Sequence, residues 1–203
     1  VFFIGFNVYF AYMGNYIIYY LGYTADMMGI IEAVPLVLSM TMAIPASMLI
    51  NKNKHVAVSV AAVIASIIGL LIIYPITPDM VDNTKIFDLR LWLGIFFVGV
   101  GYVTILQTTK VWTKQLYPQD SKGQFEGIWI LFFVLIPMIG GSAVGEAVVK
   151  TSGESILNEV SGQMEYIPNG NIFLVGAILS ALSIIPVLVT RKYNKERLSK
   201  KAE

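Results

Sequence analysis

The chain has 203 residues, of which 56% are hydrophobic and 13% charged, with a mean hydropathy of +0.71. A soluble domain carries roughly 25% charged residues, so a composition this apolar excludes a protein covered by water on all sides. There is no cysteine, hence no disulfide and no thiolate chemistry, and the net charge of +1 matters less than where its charges fall.

Six apolar runs follow one another over residues 1–21, 30–50, 56–76, 91–109, 127–149 and 171–190. Each is about 20 residues long, enough as a helix to cross a hydrocarbon core of roughly 30 Å. Lipid offers no partner to backbone groups, so helices are expected, and the runs lack the alternation of a β-barrel. The predicted fold is an all-α membrane protein whose bundle occupies 1–190, with a basic tail over 191–203.

The first run contains "GFNVYFAYMGNYIIYYLGY". It has no basic start and carries Asn7 and Asn15, so it is not a signal peptide. It begins without Met, and the chain reads as a piece of a longer protein. Asn7, Ala11, Gly14, Asn15 and Ile18 share a helical face, with Tyr12, Tyr16 and Tyr19 beside it. Polar amides in lipid must face protein or water. Amides and phenol hydroxyls next to flat rings also suit a sugar, which needs hydrogen bonds and an apolar surface together. Asn7, Tyr12, Asn15 and Tyr16 are therefore candidate substrate contacts. The alternative is that they bond neighbouring helices, with the outer tyrosines in an interfacial belt.

The second run places Glu32 about two turns, or roughly 10 Å, inside a helix starting near Thr24. An ionisable group at that depth points to proton or cation coupling or to a gate. The alternative is an outer-vestibule residue paired with Arg90 or water. His55, the single histidine, falls in the charged loop before the third run. The fourth run, "LWLGIFFVGVGYVTILQTT", puts Gly94, Gly101, Thr104 and Thr108 on one face, with Tyr102 and Gln107 as candidate cavity residues. Its "VGVGY" lies inside a continuous apolar helix, which is not the extended loop of a potassium filter.

Before the fifth run stands "QLYPQDSKGQFEGIW". Ser121 and Gln124 match a capping box, and Asp120 suits the positive end of a helix. Gly123 and Gly127 share a face that would admit a neighbouring helix. Lys122 and Glu126 are candidate coupling or gating charges, and Trp129 a candidate substrate contact. Further along, Gly141 and Gly145 form a close-packing GxxxG pair, Pro137 removes a backbone bond, and Glu146 pairs with Lys150 at i,i+4. The sixth run offers Gly176, Ala177, Ser180 and Ala181 for packing and carries no strong polar group.

Lysine and arginine set the orientation. Lys52, Lys54, Lys110, Lys114, Lys122 and the six of the tail fall on one side; Lys85, Arg90 and Lys150 fall on the other. Positive loops stay cytoplasmic, so both ends are expected inside a cell membrane, in keeping with six crossings. No HExxH, Walker loop, GxGxxG or Cys/His cluster is present, so no enzyme, cofactor or metal is expected. The tail "RKYNKERLSKK" reads as attraction to anionic lipid rather than to nucleic acid.

"LYPQDSKGQFEGIW", with its P-x-x-x-x-G-x-x-x-G pattern, resembles the cytoplasmic loop of major facilitator superfamily transporters, and especially the glycoside–pentoside–hexuronide:cation symporters related to melibiose permease. "PASMLINKNKH" resembles that superfamily's basic loop, with Ser47, Asn51 and Asn53 standing where the pattern has Gly, Asp and Gly. "LGYTADMMGIIEAVP" resembles the outer turn into the second helix of a half. The resemblance implies the C-terminal six-helix half of a twelve-helix transporter, built as two inverted three-helix repeats. It also implies a partner N-terminal half, a small substrate such as a sugar, coupling to H⁺ or Na⁺, and cavity-lining roles for the first and fourth helices. Two other readings stay open: a member moving a drug, peptide or organic acid, and a non-transporting scaffold or homo-oligomeric channel.

Overall fold

The computed structural model describes residues 1–116, 122–157 and 164–190. The capping box at Ser121, Asp120, Pro118 and the basic tail lie outside the described residues.

The first apolar run is not one helix. It comprises α1 (Phe2–Phe10), a turn at Ala11 and Tyr12, the short α2 (Met13–Asn15) and a π-helical turn over Tyr16–Tyr20. The second is α3 (Ala25–Met40) and α4 (Ala43–Asn51), and the third is α5 (His55–Ile73). The fourth is α6 (Leu89–Leu116). The fifth runs through α7 (Lys122–Ile130), a π turn over Leu131–Leu135 and α8 (Ile136–Ser152). The sixth is α9 (Asn171–Leu182), which continues past a turn at Ser183 to Thr190. Among the described residues, five stretches are long and apolar enough to cross a membrane: Ala25–Asn51, His55–Ile73, Leu89–Lys114, Gly123–Ser152 and Asn171–Thr190. The predicted first span is not among them; its asparagines and tyrosines set it apart, since a two-residue turn also interrupts Ala25–Asn51.

Local chemistry accounts for several boundaries. Met27 N–H donates to the Thr24 hydroxyl at 3.4 Å, capping α3, and Asp26 sits in that positive first turn. Pro137 lacks the N–H that would bond one turn back, and the widened Leu131–Leu135 turn lies immediately before it. α4 ends in a Schellman motif: Lys54 N–H donates to Leu49 C=O at 3.1 Å and Asn53 N–H to Ile50 C=O at 2.9 Å. Asn53 takes the left-handed conformation this needs, with φ of 57°. His55 is a correction to the sequence reading: it opens α5, is buried, and stacks on Trp112 with ring centroids 5.7 Å apart.

The segment between α8 and α9, which falls outside the apolar runs, holds a hairpin. β1 (Glu154–Leu157) pairs antiparallel with β2 (Met164–Ile167), Glu154 opposite Ile167. Asn169 ties its base by donating to the Ser152 carbonyl. In the loop before α6, the Lys85 ammonium at 2.7 Å and hydrogen bonds from Thr84 hold the exposed Asp82 carboxyl down at about 2.

Two three-helix units interlock. α1, which opens the first unit, packs on α8 and α9 of the second. α6, which opens the second, packs on α3, α4 and α5 of the first, and the two closing helices α5 and α9 touch each other. Lipid tails are as apolar as the side chains, so close packing rather than water exclusion holds such contacts. Glycine supplies the closeness where α1 meets α8 and α9 and where α5 meets α6. A Cβ on Gly5 would come within 3.0 Å of Gly176 C=O, and one on Gly69 within 2.5 Å of Gly94 C=O. A Cβ on Gly141 would stand 2.6 Å from Ile4 C=O, and Gly145 is pressed against Val8 and Tyr12. Gly123 and Gly127 differ from expectation: a Cβ at either meets nothing within 4 Å, so no described helix approaches them. The fold is that of an all-α membrane protein.

Candidate functional site

The break in the first span organises the candidate site. No proline or Gly–Gly pair sits at Ala11–Tyr12, so the cause is tertiary. Tyr12 lies against Gly145 and its hydroxyl donates to Ser142 C=O at 3.3 Å. One turn on, Tyr16 is fully buried, donates to Ile76 C=O at 2.9 Å and packs edge-on against Phe173. Pinned from both sides, the chain tightens at Tyr12, whose N–H bonds Tyr9 C=O, then widens into the π turn.

The other predicted contacts distribute around this break. Asn7 is half-buried and donates to Phe3 C=O at 2.7 Å, within its own helix. Asn15 is exposed. Tyr102 on α6 stacks on Phe6 with centroids 4.2 Å apart and meets Phe3 edge-on, so α1 and α6 share an aromatic wall. Phe3 continues it to Phe133, and Phe133 stacks on Trp129 at 5.2 Å. Trp129 is buried, and its indole Nε1 has no hydrogen-bond partner among the described residues; nor has Gln107 Oε1. The structure thus joins Tyr102 and Trp129 in one wall, while Tyr12, Tyr16 and Asn15 sit along the broken span.

A cation missed by sequence reasoning completes that wall. Lys110 Nζ stands 4.9 Å from the centre of the Trp129 ring, one turn along α6 from Gln107. It makes no ion pair among the described residues. The signal was available: Lys110 falls three residues after Gln107 on the same helical face.

Of the candidate charges, Glu126 is half-buried on α7, and Lys122 begins that helix with its side chain outside the described part. Glu32 is half-buried on α3 and forms no ion pair with Arg90, which is exposed. Its Oε1 is buried without a partner among the described residues, at a small pocket of about 50 Å³ that borders α1, α2 and α6. Glu146 and Lys150 form an exposed ion pair of 2.6 Å. A larger apolar pocket of about 340 Å³ opens where α1 and α5 begin and α6 and α9 end. Phe2, Phe3, Ile105, Thr109, Trp112 and Pro186 are among its walls, and it takes in none of the predicted site residues.

Apolar helices in two interlocked units, with an aromatic wall and unpartnered polar atoms between them, define a multi-pass membrane protein. The model of the Major Facilitator Superfamily matches residues 1–203, and the chain belongs to that family, a family of secondary transporters. No curated protein and no solved structure matches the chain.

Proposed function

We propose that the chain is the C-terminal six-helix half of a secondary transporter that moves a sugar or glycoside together with a cation, by alternating access. In this reading both ends face the cytoplasm, and the bundle rocks against an N-terminal half around a site at the membrane midplane. The observation that carries it is the wall of Phe6, Tyr102, Phe3, Phe133 and Trp129, together with polar atoms that have no partner among the described residues on Trp129 itself and on Gln107 of α6. Flat rings beside a free N–H and a free C=O match a ring-shaped, hydroxyl-bearing solute. The two least buried spans, α3–α4 and α7–α8, present Val37, Met48, Ile128 and Ile139 outward, where a second half would lie.

A second reading has its own support. Lys110 beside Trp129, without an ion pair among the described residues, favours a solute bearing a carboxylate, such as an organic acid or a sugar acid.

Counterflow in liposomes, with the transporter in full length, tests both. Neutral sugars and sugar acids are screened side by side. Trp129→Ala and Tyr102→Ala are expected to lower counterflow at least ~10-fold, the equivalent of about 1.4 kcal/mol of binding. Lys110→Met is expected to affect only the acids. Unchanged counterflow in both aromatic variants removes the wall from the site. No counterflow with any sugar or acid in the wild type removes the reading itself.

A further inference from the structure

Among the described residues Glu32 meets no cationic side chain, and its surroundings leave few ways to satisfy it. Its pocket is formed by Phe6, Tyr9, Phe10 and Met13 of the first span and by Ile95 and Val98 of α6, among others. Tyr9 is the only polar side chain in that lining besides Glu32 itself. An ionised carboxylate with a buried, unpartnered oxygen costs several kcal/mol unless a cation or a proton joins it.

Basic side chains do not fill that role. The elements packed against α3 are α6 and the Tyr16–Tyr20 turn, with α1 and α2 across the pocket. Their titratable groups are Tyr9, Tyr12, Tyr16, Tyr19 and Tyr20, with Arg90, Tyr102, Lys110 and Lys114 on α6. Arg90 is exposed at the start of α6, and Lys110 and Lys114 lie near its far end. Asp26, on α3 itself, is exposed. A metal cation fits no better. Hard cations take several oxygen ligands, and this pocket offers one carboxylate and one phenol among hydrocarbon groups. A proton needs one oxygen and about no space.

We propose that Glu32 is the binding site of the coupling ion, that this ion is H⁺ rather than Na⁺, and that its occupancy is read out by the break in the first span. The proposal rests on the secondary-transport reading above. Phe10 and Met13, which bracket Ala11–Tyr12, both border the pocket. The carboxylate takes a proton from a hydronium ion on one side, forming one O–H bond as the donor's O–H bond breaks and water leaves, and gives it up to a water molecule on the other side by the reverse exchange. Gain or loss of that charge alters the electrostatics beside the Ala11–Tyr12 turn, where the first span already departs from helix.

Two measurements on the full-length transporter test this separately from the identity of the solute. The first is an infrared difference spectrum between neutral and alkaline pH, in detergent. The wild type is expected to lose a protonated-carboxyl C=O band that Glu32→Gln lacks and Glu32→Asp shows shifted. Superimposable wild-type and Glu32→Gln spectra overturn the proton site, whatever the protein transports. The second is uphill uptake in liposomes, with and without an inward proton gradient. The wild type is expected to gain at least ~10-fold from the gradient, equal to about 1.4 kcal/mol of drive, and the ratio to fall to about one in Glu32→Gln. Glu32→Asp is expected to keep part of the gain and controls for misfolding. Uptake driven by a Na⁺ gradient alone, or a Glu32→Gln ratio equal to wild type, overturns the proposal. Absence of all uptake in the wild type counts against the transport reading and leaves the infrared result to decide the proton site.

Discussion

Asn53 holds a φ of 57° at the end of α4, where its N–H and that of Lys54 satisfy the carbonyls of Ile50 and Leu49. Left-handed backbone costs an ordinary residue roughly 1–2 kcal/mol, less for Asn and nothing for Gly. Asn53→Val is therefore expected to lower the thermal midpoint in detergent, and Asn53→Gly to leave it equal or raise it. A midpoint for Asn53→Val that matches the wild type contradicts the Schellman assignment. Asn53 had been singled out from the sequence as standing where the family pattern carries Gly, and the turn geometry gives that substitution a physical reason. Other single residues were less legible. Tyr16 and its polar neighbours announce a non-lipid environment, but nothing local indicates that its hydroxyl is taken by Ile76, 60 positions away. His55 lies between two charged segments, which masks its burial against Trp112 on α6.

Between elements, glycine sorts the contacts that exist from those that do not. Gly141 and Gly145 were visible as a packing face, and α1 is the helix they receive. Periodicity marks such a face but does not name its partner, which is why Gly123 and Gly127 look the same in sequence and meet open space. This difference is measurable. Gly141→Leu drives a side chain into the α1 backbone at Ile4 and is expected to cost about 1–3 kcal/mol. Gly127→Ala is expected to cost nothing and to gain up to about 1 kcal/mol from helix propensity. Thermal melts of the two variants in one detergent decide it; equal destabilisation removes the close-packing account. The π turn before Pro137 was foreshadowed by the proline. The break at Ala11–Tyr12 was not, because contacts from α8 and from the Ile76 region impose it on a sequence of good apolar character.

The apolar runs showed that the chain is a membrane bundle, since their length and hydropathy depend on no contact. How the bundle is knitted together could not be read from them, because each unit's opening helix is held by the opposite unit. That exchange predicts that neither unit stands alone. Residues 1–87 and 88–203, separated within the loop before α6, are expected to be degraded by protease when produced singly. Produced together they are expected to co-purify as a protease-resistant pair. A protease-resistant 1–87 on its own refutes the exchange. The acidic, polar stretch between α8 and α9 gave no clear strand signal, and its hairpin has only four residues per strand.

The Tyr12–Ser142 hydrogen bond joins positions 130 apart in the chain. Ribosomes add roughly 5–20 residues per second, so that separation amounts to about 6–26 s of synthesis. For that time α1 waits in or beside the bilayer before α8 and α9 emerge, with Asn7 satisfied by its own Phe3 carbonyl and the Tyr12 hydroxyl still without its Ser142 carbonyl. The nascent first helix is thus the point at which insertion factors would find this protein most in need of shelter.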